Sequence, residues 1–334
     1  MRVMVTGGTG FVGFHTAQAL LDAGHEVCLL VRSARKAKNL YGKDVPDLVV
    51  GDITDAGSVT RAVQGCDAVV HSAALVSTDA KDADQVYNTN VDGARTVINA
   101  AMDEGVESII HVSSVTALFN PKAKVLDGNS PPGTALNAYG RSKVDCEKFV
   151  RGLQRKGVPI HITYPAAVIG PADPGLTEPH IGLQTYLSAF IPLMPGGNQF
   201  VDVRDVAEVH LRLLEGDFPP GRFILGGHYL SWPELARNLE RLTGRKLIKV
   251  PAMGSFMRGL GTAVDLLKRV KQFDVPMGYE AMVYATQWVP MDSSETGEQL
   301  DFSFRPLDES LSDSVRWLLQ EGHITKKQAG CLAR

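Results

Sequence analysis

Residues 2–24, RVMVTGGTGFVGFHTAQALLDAG, restrict what this chain can fold into more than any other stretch. Arg2 to Thr6 reads as a short buried strand led by Val3, Met4 and Val5, and Phe11 to Ala23 has helical spacing that stops at Gly24. Between them stand Gly7, Gly8, Gly10 and Gly13. A glycine turn from strand to helix lets backbone N–H groups approach a pyrophosphate at the positive end of the helix dipole. The spacing is G-x-x-G-x-x-G rather than the commoner G-x-G-x-x-G, so its strand–turn–helix context gives it meaning.

Strand and helix patterns then alternate. Strands are expected at Glu26–Val31, Leu48–Val50, Ala68–His71, Ser108–Val112 and Ile160–Tyr164, with helices at Gly57–Gln64, Asn90–Glu104 and Ala138–Lys156. Strands that are apolar throughout belong to a parallel sheet covered on both faces, so the fold class is α/β with a Rossmann-type doubly wound sheet. Ligands of such sheets bind beyond the carboxyl ends of the strands. After Pro171 the character changes: 172–199 is rich in Pro and Gly, with a helix expected at Gly182–Phe190. Short strands at Phe200–Val203 and Arg222–Leu225 flank a helix at Val206–Glu215, and Ser231 with Glu234 forms a capping box before Trp232–Thr243. Leu311–Glu321 is an amphipathic tail. The expected division is a dinucleotide-binding domain of 1–171, with 200–226 returning to it, and a smaller mixed substrate-binding lobe of 172–199 and 227–334.

At 334 residues the chain has room for both parts. A net charge of −3 offers no electrostatic case for nucleic acid. Cys28, Cys66, Cys146 and Cys331 show no C-x-x-C spacing, which points to reduced thiols, and Cys28 reads as a small core residue. The first strand begins at once, leaving no room for a signal peptide, and no apolar run approaches membrane-spanning length, so a cytoplasmic protein is expected. The nine histidines lack H-x-x-x-H spacing, so no metal is expected.

Tyr139 and Lys143 lie four apart on an expected helix and so project from one face. A phenol is a poor acid, with a pKa of about 10. A fixed ammonium one turn away favours its ionised form, and the tyrosine can then exchange a proton with a substrate oxygen. Ser113 and Ser114, at the end of the fifth strand, can supply a second hydrogen bond to that oxygen.

These residues resemble the short-chain dehydrogenase/reductase superfamily, most closely its extended branch, over nearly the whole chain. Thr6–Gly13 is similar to the TGxxGxxG turn and Tyr139–Lys143 to YxxxK, while Ser114 matches the catalytic serine. Asn90–Gly93 (NVDG) resembles the helix carrying a structural or proton-relay asparagine. Val201–Ala207 and Leu311–Ile324 resemble extended-branch signatures. The resemblance implies Ser114, Tyr139 and Lys143 as catalytic residues, and Gly7, Thr9, Gly10, Phe11, Val12 and Gly13 as the pyrophosphate turn. It also implies Asp52 and Ile53 against the adenine, and Ala73 and Ala74 of His71–Ala74 (HSAA) along the cofactor. Pro165 and Val168 of Pro165–Pro171 (PAAVIGP) would border the nicotinamide, although Tyr164 stands where an arginine is usual.

A ribose 2′-hydroxyl is usually held by a carboxylate at the end of the second strand, whereas a 2′-phosphate calls for a cation. Here that strand runs into Arg32, Ser33, Ala34, Arg35 and Lys36, so Arg32, Ser33 and Arg35 are expected to hold NADP(H). Nucleotide-sugar epimerases and dehydratases need cations on the substrate side. From Ala172 to Val203 there is no Lys or Arg, and Gln199 stands where that group often has arginine. Val115 and Thr116 follow Ser114 in place of a dehydratase acid–carboxylate pair. Leu183, Tyr186, Leu187, Phe190, Ile191, Leu193 and Met194 suit an apolar or aromatic carbonyl compound, or else the core of the lobe. The expected activity is NADP(H)-dependent reduction of a ketone or aldehyde on a hydrophobic small molecule, as in dihydroflavonol reductases, cinnamoyl-CoA-type reductases and 3β-hydroxysteroid dehydrogenases. The alternatives are a nucleotide-sugar epimerase or dehydratase and a non-catalytic dinucleotide sensor; the chain is expected to be a monomer or homodimer. Met253–Val270 carries an apolar stripe (Phe256, Leu260, Val264, Leu267, Val270) and is expected to cover the substrate cleft, with a subunit or membrane-surface contact as the other readings.

Overall fold

The computed structural model describes residues 1–76, 82–135, 138–268 and 278–333. In chain order the first half comprises β1 (Arg2–Thr6), α1 (Phe11–Asp22), β2 (Glu26–Val31), α2 (Ala34–Tyr41), β3 (Asp47–Val50), α3 (Ala56–Val63), β4 (Ala68–His71), α4 (Ala83–Glu104), β5 (Ser108–Val112), α5 (Ala138–Gln154) and β6 (Ile160–Pro165). The second half comprises β7 (Ala167–Ile169), α6 (Glu178–Ser188), β8 (Ile191–Leu193), β9 (Gly197–Asp202), α7 (Val203–Glu215), β10 (Arg222–Leu225), β11 (His228–Ser231), α8 (Trp232–Thr243), β12 (Lys249–Pro251), α9 (Gly254–Lys268), α10 (Tyr279–Thr286), α11 (Ser294–Leu300), α12 (Leu307–Gln320) and α13 (Lys326–Ala329).

Seven parallel strands form the main sheet in the order β10-β6-β5-β4-β1-β2-β3. Its middle is wholly apolar: Val3, Met4 and Val5 of β1, Val69 and Val70 of β4, and Ile109 and Ile110 of β5 are inaccessible to solvent. That is why these strands read as unbroken hydrophobic runs. Chain direction across the sheet reverses between β1 and β4, and this switch point opens the crevice in which such sheets bind ligands. Two smaller sheets, β11-β9-β7 and β12-β8, lie in the second half. A separate hydrophobic cluster gathers Ile169, Leu183, Leu187, Trp232, Leu235 and Leu311. The main core takes in Val283, Val289 and Met291 from the far end of the chain.

The α/β architecture matches the expectation. Three differences have physical causes. α2 was not expected, because only Ala37 and Tyr41 of its eight residues are buried and the remainder reads as a solvated basic loop. α4 begins seven residues before Asn90, its first turns held mainly by Val86. α6 begins at Glu178, where Thr177 and a proline in the first turn start a helix with little apolar periodicity. The Ser231–Glu234 capping box forms as expected. All four cysteines are free, and Cys28 is buried. Among the described residues no helix is long and apolar enough to cross a membrane, and no cluster of His, Cys, Asp or Glu is placed to hold a metal.

Four buried histidines are held in the neutral form, His111 among them, pushed well below its ordinary value by burial and by its neighbours His71 and Lys143. Burial pushes His71 down to about 3, helped by the charge of Lys143, and pushes His161 to about 4 and His210 to about 3. The His210 ring lies between Thr16 Oγ1 (2.9 Å) and Thr163 Oγ1 (3.1 Å), hydroxyls that can serve a neutral imidazole as one donor and one acceptor. In the unfolded chain each histidine would take a proton near pH 6.5, so the unfolded state binds more protons below that pH. The stability they contribute is therefore present above pH 6.5 and is lost as pH falls from there toward 3–4. Carboxylates held low, such as Asp173 and Asp202, act only below their ordinary value of 3.8. Urea unfolding at pH 5.5 should give a stability lower by up to about 1.4 kcal/mol per histidine than at pH 7.5; equal stabilities would contradict this.

Candidate active site

The glycine turn sits at the carboxyl end of β1, beside the switch point. Gly7 has φ +74°, and a Cβ there would stand 2.7 Å from Ala73 N. A Cβ on Gly13 would collide with the Gly7 carbonyl oxygen, so α1 can descend this close to β1 only without a side chain. Gly10 N–H donates to Gly7 O at 2.8 Å, and the Tyr41 hydroxyl donates to Gly8 O at 2.7 Å. Thr6 Oγ1 accepts the Ala73 N–H at 3.2 Å and lies 2.8 Å from His71 Nδ1, tying the turn to the end of β4. The first turn of α1 has no acidic residue and no side-chain cap. Thr9 and Val12 are half-buried and Gly10 is exposed. The Phe11 ring is buried edge-on against His15 and His180, at 5.4 and 5.3 Å between centroids, so its expected role falls to its backbone N–H.

At the end of β2, Arg32 and Arg35 are exposed and form no ion pair among the described residues. Ser33 caps α2 by accepting the Lys36 N–H at 3.3 Å, so its hydroxyl already has a backbone partner. Asp52 accepts both the N–H and the hydroxyl of Thr54, at 3.0 and 2.8 Å. Ile53 is buried against α4, where a Cβ on Gly93 would strike its side chain. Ala73 and Ala74 follow β4; Asn90 holds the next residue, Leu75, by both its N–H (2.7 Å) and its carbonyl (3.1 Å). Asn90 Nδ2 is also 3.0 Å from Ser142 Oγ, so this asparagine is committed to joining the strand end to α4 and α5.

The two serines at the end of β5 have different environments. Ser113 is buried and donates to Glu147 Oε2 at 3.0 Å. Ser114 is half-buried, and among the described residues its hydroxyl oxygen accepts the Thr116 N–H of its own turn, at 3.2 Å, while its proton meets no acceptor. Tyr139 is half-buried on the first turn of α5. Lys143 is 6% exposed; its Nζ lies 3.5 Å from Val112 O and 5.8 Å from the centre of the Tyr139 ring. Beneath them Glu147 accepts from Arg151 Nε and from the Tyr164 hydroxyl, and Arg151 also donates to Ser130 O at 2.9 Å. Tyr164 thus stands in a buried carboxylate–guanidinium cluster whose cation comes from one turn along α5. Sequence reasoning missed this cluster and the Tyr41 contact; the i,i+4 spacing of Glu147 and Arg151 was the available signal.

Pro165 ends β6, buried, and Val168 is half-buried in β7. On the lobe side the structure favours the second of the two readings. Leu183, Leu187, Ile191 and Met194 do not line an open pocket; they pack the second core, with Tyr186 and Leu193 against it. The Tyr186 ring lies edge-on to Trp232, and Phe190 points outward, 42% exposed. The lobe lacked a visible core in the sequence because its partners, α8 and α12, lie more than forty residues downstream. Gln199 is also committed: its amide donates to Met291 O at 3.0 Å and accepts from Met291 N at 2.8 Å. The neighbouring cations are similarly engaged. Arg204 forks onto Asp202 and reaches Asp313 at 2.9 Å, Arg305 pairs with Asp205, and Arg245 donates to the carbonyls of Leu187 and Gln328.

Residues 3–226 match the NAD dependent epimerase/dehydratase family. The chain belongs to that family. It is 30% identical to the "Putative dihydroflavonol 4-reductase" of Synechocystis sp., an alignment covering 96% of this chain and 95% of that protein. To the "UDP-glucose 4-epimerase" of Neisseria meningitidis serogroup B it is 32% identical over 46% of this chain and 48% of the other. Among solved structures, that of gox2253 superposes with a TM-score of 0.82 at 26% identity, covering 97% of this chain and 99% of the other. Family membership makes this an NAD(P)-dependent oxidoreductase in general terms.

The residues present fit a dinucleotide. The turn has no room for two Cβ atoms, the helix start has N–H groups without side-chain caps, and the buried Lys143 Nζ has, among the described residues, one carbonyl within reach, Val112 O at 3.5 Å. Gly13→Ala should force α1 away from β1, costing about 1–3 kcal/mol of stability as overpacking does, and should abolish most coenzyme affinity. An unchanged NADH or NADPH fluorescence titration would remove the turn from the binding site.

Proposed function

We propose that this family member is an NADP(H)-dependent reductase of a ketone or aldehyde on a hydrophobic small molecule. The observation that carries the reading is the buried Lys143 ammonium between the Val112 carbonyl and the Tyr139 ring, with Ser114 available at the adjacent strand end. We take 1–171 with 200–226 as the dinucleotide-binding domain and 172–199 with 227–334 as the substrate lobe. The four free cysteines support a cytoplasmic setting.

The nicotinamide, when bound, supplies the hydride. Ser114 donates a hydrogen bond to the carbonyl oxygen and fixes its orientation. Tyr139 delivers its phenolic proton to that oxygen as negative charge develops there. Lys143 keeps a positive charge beside the phenol oxygen and offers its remaining N–H groups to the nicotinamide ribose. Glu147, Arg151 and Tyr164 hold α5 in place, and Ser113 belongs to that support. Exposed Arg32 and Arg35, at the end of β2 and in the first turn of α2, suit a 2′-phosphate.

Support for an apolar substrate comes from the cation-free stretch 172–203, the prior engagement of Gln199, Arg204, Arg305 and Arg245, and the full-length likeness to a putative dihydroflavonol reductase. The family also contains epimerases, so the decisive assay measures NADPH absorbance with apolar ketones and aldehydes against UDP- and GDP-sugars. Turnover of the sugars alone would favour the epimerase reading.

Tyr139→Phe keeps the ring and removes the proton, so turnover should fall about 10²- to 10⁴-fold with coenzyme affinity nearly unchanged. Lys143→Ala should lose turnover and affinity together, because its ammonium serves both the phenol and the ribose. A Tyr139→Phe enzyme with undiminished single-turnover rate would exclude Tyr139 from the mechanism.

The coenzyme reading has its own test. NADPH should bind more tightly than NADH, and Arg32→Ala should narrow the gap. A charge-assisted hydrogen bond contributes about 1.5–3 kcal/mol, or roughly ten- to a hundredfold in affinity. Equal binding of the two coenzymes by the unmodified protein would reject the 2′-phosphate site.

A further inference from the structure

We propose that α9 docks this protein on the surface of an anionic lipid bilayer. One side of the helix is fastened to α10. Gly261 packs so closely on Gly278 and Tyr279 that a Cβ would stand 2.9 Å from their backbone; Asp265 accepts the Tyr279 N–H at 2.9 Å, and Arg258 donates to Thr286 Oγ1 at 2.8 Å. The other side is exposed among the described residues. Met253 just before the helix, then Phe256, Leu260, Ala263 and Leu267, follow one another at intervals of three and four, which places them in a single stripe. All five are exposed, Met253 by 71%, Phe256 by 63% and Leu267 by 57%. Of the stripe expected to cover the cleft, Phe256, Leu260 and Leu267 are exposed to solvent, Val264 is half-buried and Val270 lies outside the described residues; Val250 of β12 is exposed as well. A contiguous apolar face of this kind marks an interaction site.

Charge identifies the occupant. Residues 245–277 carry seven Lys and Arg against two Asp, in a chain whose net charge is −3. One of those aspartates, Asp265, is turned to the start of α10. Lys249 shares its charge with Glu240, whereas exposed Lys246 has no ion-pair partner among the described residues. A second copy seated on this face would bring two basic segments together, and like charges facing one another oppose association. An anionic bilayer attracts them while its acyl boundary accepts the stripe. The 15-residue helix can lie in that interface but is too short to span. The surface is also linked to the chemistry: Tyr284 of α10 meets Phe119, just beyond Ser114 and its turn, edge-on at 4.5 Å.

The test is cosedimentation of the full chain with phosphatidylcholine vesicles, with and without roughly 30% phosphatidylglycerol. Binding should require the anionic lipid. It should fall about tenfold or more in a Phe256→Asp, Leu260→Asp double variant. It should also be released near 1 M NaCl, where the screening length is about 3 Å. Both side chains are exposed, so the variant should keep its melting temperature and coenzyme titration, which separates docking from the reductase reading. No binding to either vesicle, or binding that survives the double variant, would overturn the proposal. So would a dimer that the variant splits in the absence of any vesicle binding, which would assign the face to a second copy.

Discussion

The approach of α1 to β1 governs the rest of the structure. Gly13 lies against the Gly7 carbonyl with no space for a methyl group, and Gly7 lies equally close to the backbone that follows β4. These contacts set three elements at once: the entry of α1, the end of β1 and the neighbouring end of β4. The crevice exists because β1 and β4 are adjacent while the chain leaves them in opposite directions across the sheet. Tyr41 and His71 then hold the turn from either side, the first through the Gly8 carbonyl and the second through Thr6. With both sides fixed, the N–H groups at the start of α1 are organised before any ligand arrives, which reduces the ordering cost of binding.

A second constraint acts one strand further along. Glu147 has no exposure to solvent and is satisfied by Arg151, Tyr164 and Ser113, groups drawn from α5, β6 and the end of β5. Burial and the Glu147 charge hold the Tyr164 phenol well above its ordinary range, so it stays protonated and donates. A buried ion pair of this kind contributes little net stability, but removing one partner leaves an unpaired charge in a dry interior. Its consequence is geometric. It fixes the rotation of α5, and that rotation sets where Tyr139 and Lys143 stand relative to Ser114. Tyr164 donates to Glu147 and accepts from Arg151, which supplies the cluster's positive charge from the same helix as Glu147.

What could be read from the sequence follows the range of the interactions involved. The β1–turn–α1 unit, the strands of the main sheet and the Ser231–Glu234 cap are local, and their residues lie within one or two turns of each other. The parallel sheet was legible because burial on both faces leaves no polar alternation. α2 escaped because a basic surface helix has almost no apolar signal. The commitments of Asn90, Gln199 and Ser113 were invisible because each partner lies fifteen or more residues away. The lobe shows the same limit: Leu183 and Leu187 suit a pocket or a core equally well until Trp232, Leu235 and Leu311 are brought against them.

The distribution of cations connects the two ends of the molecule. Arg204, Arg305 and Arg245 are drawn into structural pairs, so the substrate side has few free cations for a diphosphate. Several exposed cations form no ion pair among the described residues, Arg32, Arg35 and Lys246 among them. Arg32 and Arg35 stand at the end of β2 and the start of α2, and exposed Lys246 lies between α8 and β12. The exposed cations at the end of β2 suit the proposed 2′-phosphate, while the surface joined through α10 to the Ser114 region is apolar and exposed. If α9 lies on an anionic bilayer as proposed, a hydrophobic carbonyl compound dissolved there would meet the protein at the surface that α10 links to the Ser114 region.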